Sequence, residues 1–191
     1  MLRIIPHLNS VFSSVSYILF DDERMLCWIV DVGDCDVICK IIEGYDLKGV
    51  LLTHIHYDHI YGLNALLHLH PQVPVYTNEF GLQSLKNPTD NLSAYHGDCF
   101  ILRDVSKVVV IKEGDKIELG DSQVVVMETP GHDYSCISYL IDDNCFTGDA
   151  YIPGVKVFSK LQNGDREMAE VSRNRLKGLV GVAIYPGHMN G

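Results

Sequence analysis

Thr53-His54-Ile55-His56-Tyr57-Asp58-His59 sets four metal-binding side chains into six positions, directly after the apolar, strand-like stretch 49–53. Imidazole and carboxylate are the donors that zinc and similar divalent ions take, and packing alone gives no reason to crowd them onto one short loop. In an extended loop alternate residues point the same way, so His54 and His56 reach one ion together. Asp58 and His59 are adjacent and diverge, which leaves them for a second ion.

Neither ion is complete with these four residues. Three later segments offer the missing donors: Thr129-Pro130-Gly131-His132, Thr147-Gly148-Asp149 and Tyr185-Pro186-Gly187-His188. Each follows an apolar stretch, at 124–127, 136–141 continuing to 146, and 182–185, so each donor is expected at or just past a strand end. Pro and Gly beside the donor let the backbone turn sharply. His132 would complete the first site, His188 the second, and Asp149 is placed to bridge both.

These residues resemble the metallo-β-lactamase fold superfamily, and within it the binuclear hydrolases similar to glyoxalase II (hydroxyacylglutathione hydrolase). The likeness runs nearly end to end. The segment 10–34, with Val30-Asp31-Val32-Gly33-Asp34, resembles the family's opening hairpin, and Asp31 its aspartate that orients the metal-binding loop. The resemblance implies His54, His56 and His132 on one metal, Asp58, His59 and His188 on the other, and Asp149 between them. It implies two divalent ions per chain, zinc in the first place, with iron or manganese as alternatives because all accept imidazole and carboxylate.

The other histidines, His7, His68, His70 and His96, read as surface or satisfied core residues. A closed structural zinc site would favour cysteine. The six cysteines show no zinc-knuckle spacing and read as reduced thiols of a cytoplasmic protein, although Cys35 and Cys39 lie four apart on an expected helix.

With 191 residues, 47% of them hydrophobic, the chain is expected to form one globular domain over 1–191. The stretch 1–20 is interrupted by Pro6, His7, Asn9 and several serines and reads as the first strands, so neither a signal peptide nor a membrane segment is expected. A net charge of −10 disfavours a large polyanion, which sets a nuclease behind a small-molecule substrate. Oligomeric state is not fixed by the sequence. Glyoxalase II proper continues into a helical domain; because His188 lies three residues from the end, that domain is expected to be missing here.

Hydrophobic periodicity predicts a hairpin from 10–20 and 25–32 around Asp21-Asp22-Glu23-Arg24, and a helix over 35–45 with Val37, Ile38, Ile41 and Ile42 on one face. It predicts a buried strand at 49–53, helices at 60–69 and 79–86 around a strand at 73–77, strands at 108–111, 116–119 and 123–127, and a last helix at 166–179. Strands with interspersed helices make an α/β layered domain, which the resemblance sharpens to an αββα sandwich of two mixed sheets with helices outside.

Two divalent ions, the carboxylates of Asp58 and Asp149 and a bridging hydroxide sum to a net charge of about +1. Attack of that hydroxide on a small thioester or ester is the reaction the resemblance implies, with Asp58 and Asp149 as the catalytic carboxylates. A lactonase shares this constellation, and mononuclear iron dioxygenases of the same fold use a subset of it; lactam-cleaving relatives generally lack the bridging aspartate. Candidate substrate contacts are Ser93 in the loop 87–100, Tyr151 and Lys156 in 151–158, and Tyr61. Lys156 occupies roughly the place where relatives present a basic residue to an anionic group. Tyr61 stands where many relatives have glycine, and Asp133-Tyr134-Ser135-Cys136 replaces a small glycine-containing turn. Both departures weigh against glutathione thioester specificity.

Overall fold

The computed structural model describes residues 2–189. In chain order the elements are strands β1 (Arg3–Leu8), β2 (Val15–Asp21) and β3 (Leu26–Val30), helix α1 (Cys35–Ile41), β4 (Asp46–Leu51), α2 (Tyr57–Ile60), α3 (Leu63–Leu69), β5 (Val75–Thr77) and α4 (Glu79–Ser84). They continue with β6 (Val108–Val110), β7 (Lys116–Leu119), β8 (Ser122–Glu128), β9 (Ile137–Ile141), β10 (Asn144–Gly148), α5 (Arg166–Lys177) and β11 (Ala183–Pro186). Short 3-10 turns lie at 93–96 and 105–107.

Two mixed sheets stack face to face. The first runs β1-β2-β3-β4-β5-β6, antiparallel through β3 and parallel from β3 onward; the second runs β11-β10-β9-β8-β7, with β10 and β11 parallel. Alternation along each strand assigns its faces. On β2, Val15, Tyr17 and Leu19 enter the core between the sheets, whereas Ile18 and Phe20 pack toward the helices. Trp28 and Val30 against Cys27 and Ile29 repeat the division on β3. Because both faces are covered, β2 is buried over nearly its whole length. A smaller cluster of Met127, Cys136, Cys145, Ala150 and Leu176 seats α5 on the outer face of the second sheet. The αββα sandwich expected from the sequence is the fold observed.

Several local expectations change. Residues 35–45 are helical only to Ile41, and the packed face is Cys35, Ile38 and Ile42, leaving Val37 40% exposed. The stretch 60–69 is not one helix but α2 and α3, separated at Tyr61 and Gly62. There Gly62 N donates to Val32 O at 3.1 Å, and a Cβ at Gly62 would lie 2.0 Å from Gly33 O. That approach to residues 32 and 33 requires a break and a residue without a side chain. The apolar run 136–146 is a hairpin, β9 and β10, turning at Asp142 and Asp143 with Asp142 at φ 51°. Of the three strands in 108–127, the first joins one sheet and the other two the opposite sheet.

Candidate metal centre

The C-terminal ends of five strands meet at one edge of the sandwich, and the chemistry-bearing residues follow them directly: Asp31 after β3, the 53–59 run after β4, His132 after β8, Asp149 after β10 and His188 after β11. His188 is held by an isolated bridge to Ser14, and Val15 N donates to Gly187 O at 2.8 Å. The last strand is thereby fastened to the first sheet, so both halves of the molecule contribute to one site.

The run 53–59 is not extended throughout. His56 caps a single helical turn, α2, which carries Asp58 and His59. Instead of diverging, Asp58 Oδ2 and His59 Nε2 come within 3.5 Å of each other. Potential ligand atoms within 4.8 Å of one another form the groups His54, His56 and His132, and Asp58, His59 and His188; a further group, Asp31, His54 and His59, overlaps both. Asp149 lies between the first two groups. Its Oδ2 is 3.5 Å from His132 Nε2 and 3.4 Å from His188 Nε2, and its Oδ1 is 3.7 Å from His59 Nε2.

Hydrogen bonds from behind orient the rings. Asp31, 1% exposed, accepts from Thr53 N at 2.7 Å and Thr53 Oγ1 at 2.6 Å, and its Oδ2 is 2.9 Å from His59 Nδ1. Thr53 Oγ1 directs its one hydrogen to Asp31, so at 3.1 Å it accepts a hydrogen bond from the Nδ1–H of His54. His132 Nδ1 donates to Phe158 O at 2.6 Å. His54, His59 and His132 therefore all present an unprotonated Nε2 inward when neutral. His56 is reversed: its Nε2 is 3.6 Å from Asp133 Oδ2, and its Nδ1 faces His132 Nε2 at 3.0 Å.

Asp133 is a residue the sequence reading treated only as a departure. It is 1% exposed and accepts from Ser135 N at 2.7 Å and Ser135 Oγ at 2.5 Å. Ser135 Oγ in turn accepts from Ile55 N at 3.1 Å, tying this turn to the metal-binding run. The signal was the Asp-x-Ser spacing, which favours a side-chain-to-backbone turn.

Electrostatics separate the two groups. Burial, helped by neighbouring His59 and His56, holds His54 well below the usual imidazole range. Burial also lowers His132, against the pull of Asp149. For His59 burial acts the same way, but Asp58, Asp31 and Asp149 outweigh it and raise the ring to about 9. His188 likewise is lowered by burial but raised overall, to about 10, by Asp149 and Asp58. Burial pushes Asp149 upward, yet the His188 hydrogen bond and the surrounding rings keep it well below the carboxylate range.

His54 Nε2 and Asp149 Oδ1 are shielded from solvent without a hydrogen-bond partner among the described residues. Leaving such atoms unmet is costly, and a cation is what a carboxylate oxygen and imidazole lone pairs accept together. The residues fit a divalent metal pair. Two glycines make room for them: a Cβ at Gly187 would lie 2.2 Å from Asp149 Oδ1, and one at Gly148, where φ is 50°, would lie 2.4 Å from Thr53 Oγ1.

The candidate substrate contacts scatter. Lys156 lines an opening of about 80 Å³ together with His132, Asp149 and Phe158. Ser93 is fully buried and accepts from Phe100 N at 2.9 Å, so it holds its own loop. The Tyr61 hydroxyl donates to Asp34 Oδ1 at 2.5 Å, and its ring lines a different cavity with Asn64, His68 and residues 98–103. Tyr151 packs on the apolar cluster beneath α5. Cys35 and Cys39 bring their sulfurs to 3.7 Å, with burial pushing the Cys35 thiol up to about 12.

The model of the metallo-β-lactamase superfamily matches residues 33–188. The chain belongs to the metallo-β-lactamase superfamily. Among its relatives, the hydroxyacylglutathione hydrolase of Hahella chejuensis is 35% identical over 168 residues, which cover 84% of this chain and 56% of that protein. A probable metallo-hydrolase of Streptococcus pyogenes is 30% identical over 206 residues, covering 98% and 84%. The chain spans about half the length of the hydroxyacylglutathione hydrolases it matches. Among solved structures, the B3 metallo-β-lactamase BLEG-1 superposes with a TM-score of 0.85 at 22% identity, covering 100% of this chain and 92% of that one. TTHA1623, in a di-iron-bound form, gives 0.82 at 22%, covering 98% and 93%. ETHE1 from Myxococcus xanthus gives 0.77 at 24%, covering 98% and 76%. At these identities the superpositions speak for the fold.

Proposed function

We propose that this chain is a binuclear metal-dependent hydrolase of small thioesters or esters, with lactones as the alternative substrate class. The observation that carries the reading is the pair of three-residue groups on either side of Asp149, beside an opening to solvent. His54, His56 and His132 would hold one ion, Asp58, His59 and His188 the other, with Asp149 shared. Zinc is the ion proposed first, with iron and manganese as alternatives. When bound, such a pair lowers the pKa of a water toward neutrality and polarises the carbonyl under attack.

The protein's own part is preorganisation. Asp31, Thr53, Asp133 and Phe158 O fix ring orientation, so no reorientation is needed as charge develops. Asp58 and Asp149 remain anionic through the neutral range and can accept the proton of an attacking water or hand it toward a leaving group. Phe158, 55% exposed, and Val155, 43% exposed, give the opening an apolar rim suited to an acyl chain.

The test is hydrolysis of thioester and lactone substrates by the metal-loaded, metal-stripped and Asp149→Ala proteins. Turnover should vanish on stripping, return with added divalent metal, and fall by about a hundredfold or more in the variant. Oxygen consumption with one iron per chain would replace this reading with the dioxygenase one.

A further inference from the structure

The rings that would hold the first ion, His54, His56 and His132, each have a partner behind them in Thr53, Asp133 and Phe158 O. Two of the residues for the second ion do not. Among the described residues, the side chains of Asp58 and His188 have as partners only each other, His59 and Asp149. Their placement is therefore left to the backbone that carries them. The loop 9–14, between β1 and β2, reaches both stretches of that backbone. Ser14, fully buried, donates through Oγ to Asp58 O at 2.7 Å, and its backbone forms the bridge to His188, with Val15 N on Gly187 O beside it. Asn9, 3% exposed, donates through Nδ2 to Ser14 Oγ at 3.1 Å and to Ser16 Oγ at 3.0 Å. Ser14 Oγ accepts from Asn9 and so directs its own hydrogen to Asp58.

The loop needs help to keep this shape. Phe12 and Ser13 both adopt the left-handed conformation, at φ 50° and 55°, which is costly for consecutive residues with side chains. Asp34 latches them from outside. Its Oδ2 accepts from Ser10 N at 2.9 Å, its Oδ1 from Ser10 Oγ at 2.6 Å and from the Tyr61 hydroxyl, and its own N donates to Asn9 Oδ1 at 3.0 Å. Asp34 stands at the start of α1 and Tyr61 at the break between α2 and α3, so the latch fastens the loop to elements on either side of the metal-binding run.

We propose that the loop 9–14, latched by Asp34, is the positioning element of the second metal group: Ser14 holds Asp58 and His188 where an ion needs them, and the latch sets that ion's affinity apart from the first ion's. The effect on metal rests on the two-metal reading above; the latch itself does not. Removing a partner that orients a ligand weakens metal binding while every ligand stays in place. Ser14, Asn9 and Asp34 are positioning residues in this sense, and none of them touches the ion.

Calorimetric titration of the full metal-free chain with zinc reads the two ions separately, and hydrogen exchange of the same metal-free chain reads the latch. Ser14→Ala deletes one hydroxyl, and Asp34→Asn puts an amide donor where the latch needs an acceptor on each oxygen; both nearly keep the size of the side chain. In each variant one of the two binding events should weaken by about tenfold while the other stays native. The amides of residues 10–15 should exchange about tenfold faster in Asp34→Asn. Tyr139→Phe, which deletes another fully buried bond from a hydroxyl to a carbonyl, should alter neither readout, so a general loss of stability does not imitate the result. Two native events in either variant, or equal weakening of both events, overturns the proposed control of the second ion. A single event in the native chain overturns the two-metal reading instead, and faster exchange in Asp34→Asn then still upholds the latch. Native exchange in Asp34→Asn overturns the latch, whichever number of ions binds.

Discussion

Asp31 shows how much one buried carboxylate can organise. It holds the left-handed backbone conformation at φ 58°, uncommon for a residue with a side chain, and gathers Thr53 N, Thr53 Oγ1 and His59 Nδ1. Asp31→Ala leaves those buried donors unmet and should cost about 3 kcal/mol in urea unfolding of the metal-free protein. The protonation states of the rings lead to a second expectation. His54 and His132 are held neutral, whereas His59 at about 9 and His188 at about 10 are protonated at pH 7 in the metal-free site. Protons compete with metal, so loading of the Asp58, His59 and His188 group should tighten as pH rises toward those values and release about two protons at pH 7. Calorimetry in buffers of different ionisation enthalpy reads the proton count; release of none would show that the rings are already neutral. The ligand-type residues were legible because donors in Thr-His-x-His-x-Asp-His carry their chemistry in the residue type. Asp133 and Ser135 were not, because their service to His56 and Ile55 depends on contacts between distant parts of the chain.

Elements place these residues by meeting one another at their ends. The turn before His132 is docked on α5: Asp165 N donates to Gly131 O at 2.8 Å, Ser172 Oγ to Pro130 O at 2.7 Å, and Asp165 caps the helix through Met168 N at 2.9 Å. Strand ends were readable from apolar runs followed by Pro and Gly, a local signal. The break between α2 and α3 was not, since it is imposed by the backbone at 32 and 33 packing against Gly62. The end of β11 has a similar constraint. Gly187→Ala would set a methyl group 2.2 Å from Asp149 Oδ1 and 2.9 Å from His59 Cε1, so one of the two must move. Metal affinity should fall by about tenfold to a hundredfold, as losses around a ligand do, while far-UV circular dichroism stays native. Unchanged affinity would mean that neither side chain is held where metal binding needs it.

The sandwich as a whole joins two sheets whose pairing the sequence could not display. Residues 108–119 read as successive strands, yet β6 joins the first sheet through β5 and β7 the second through β8, because the partner is chosen by packing. Between the sheets Tyr139 is fully buried on β9, and its hydroxyl donates to Leu52 O at 2.8 Å, one residue before the metal-binding run. Tyr139→Phe removes that cross-sheet bond and leaves the ring in place, so it should cost about 1 kcal/mol in unfolding experiments with metal content unaltered. A loss of metal with it would show that the sandwich core and the site are coupled more tightly than the ring-orienting bonds imply. On the proposed reading, one edge of this sandwich assembles two metal positions around Asp149. Metal stoichiometry at saturation, measured by elemental analysis after removal of loosely bound ions, tests it most directly. About two divalent ions per chain are expected for the native sequence. A single ion per chain at saturation would contradict it.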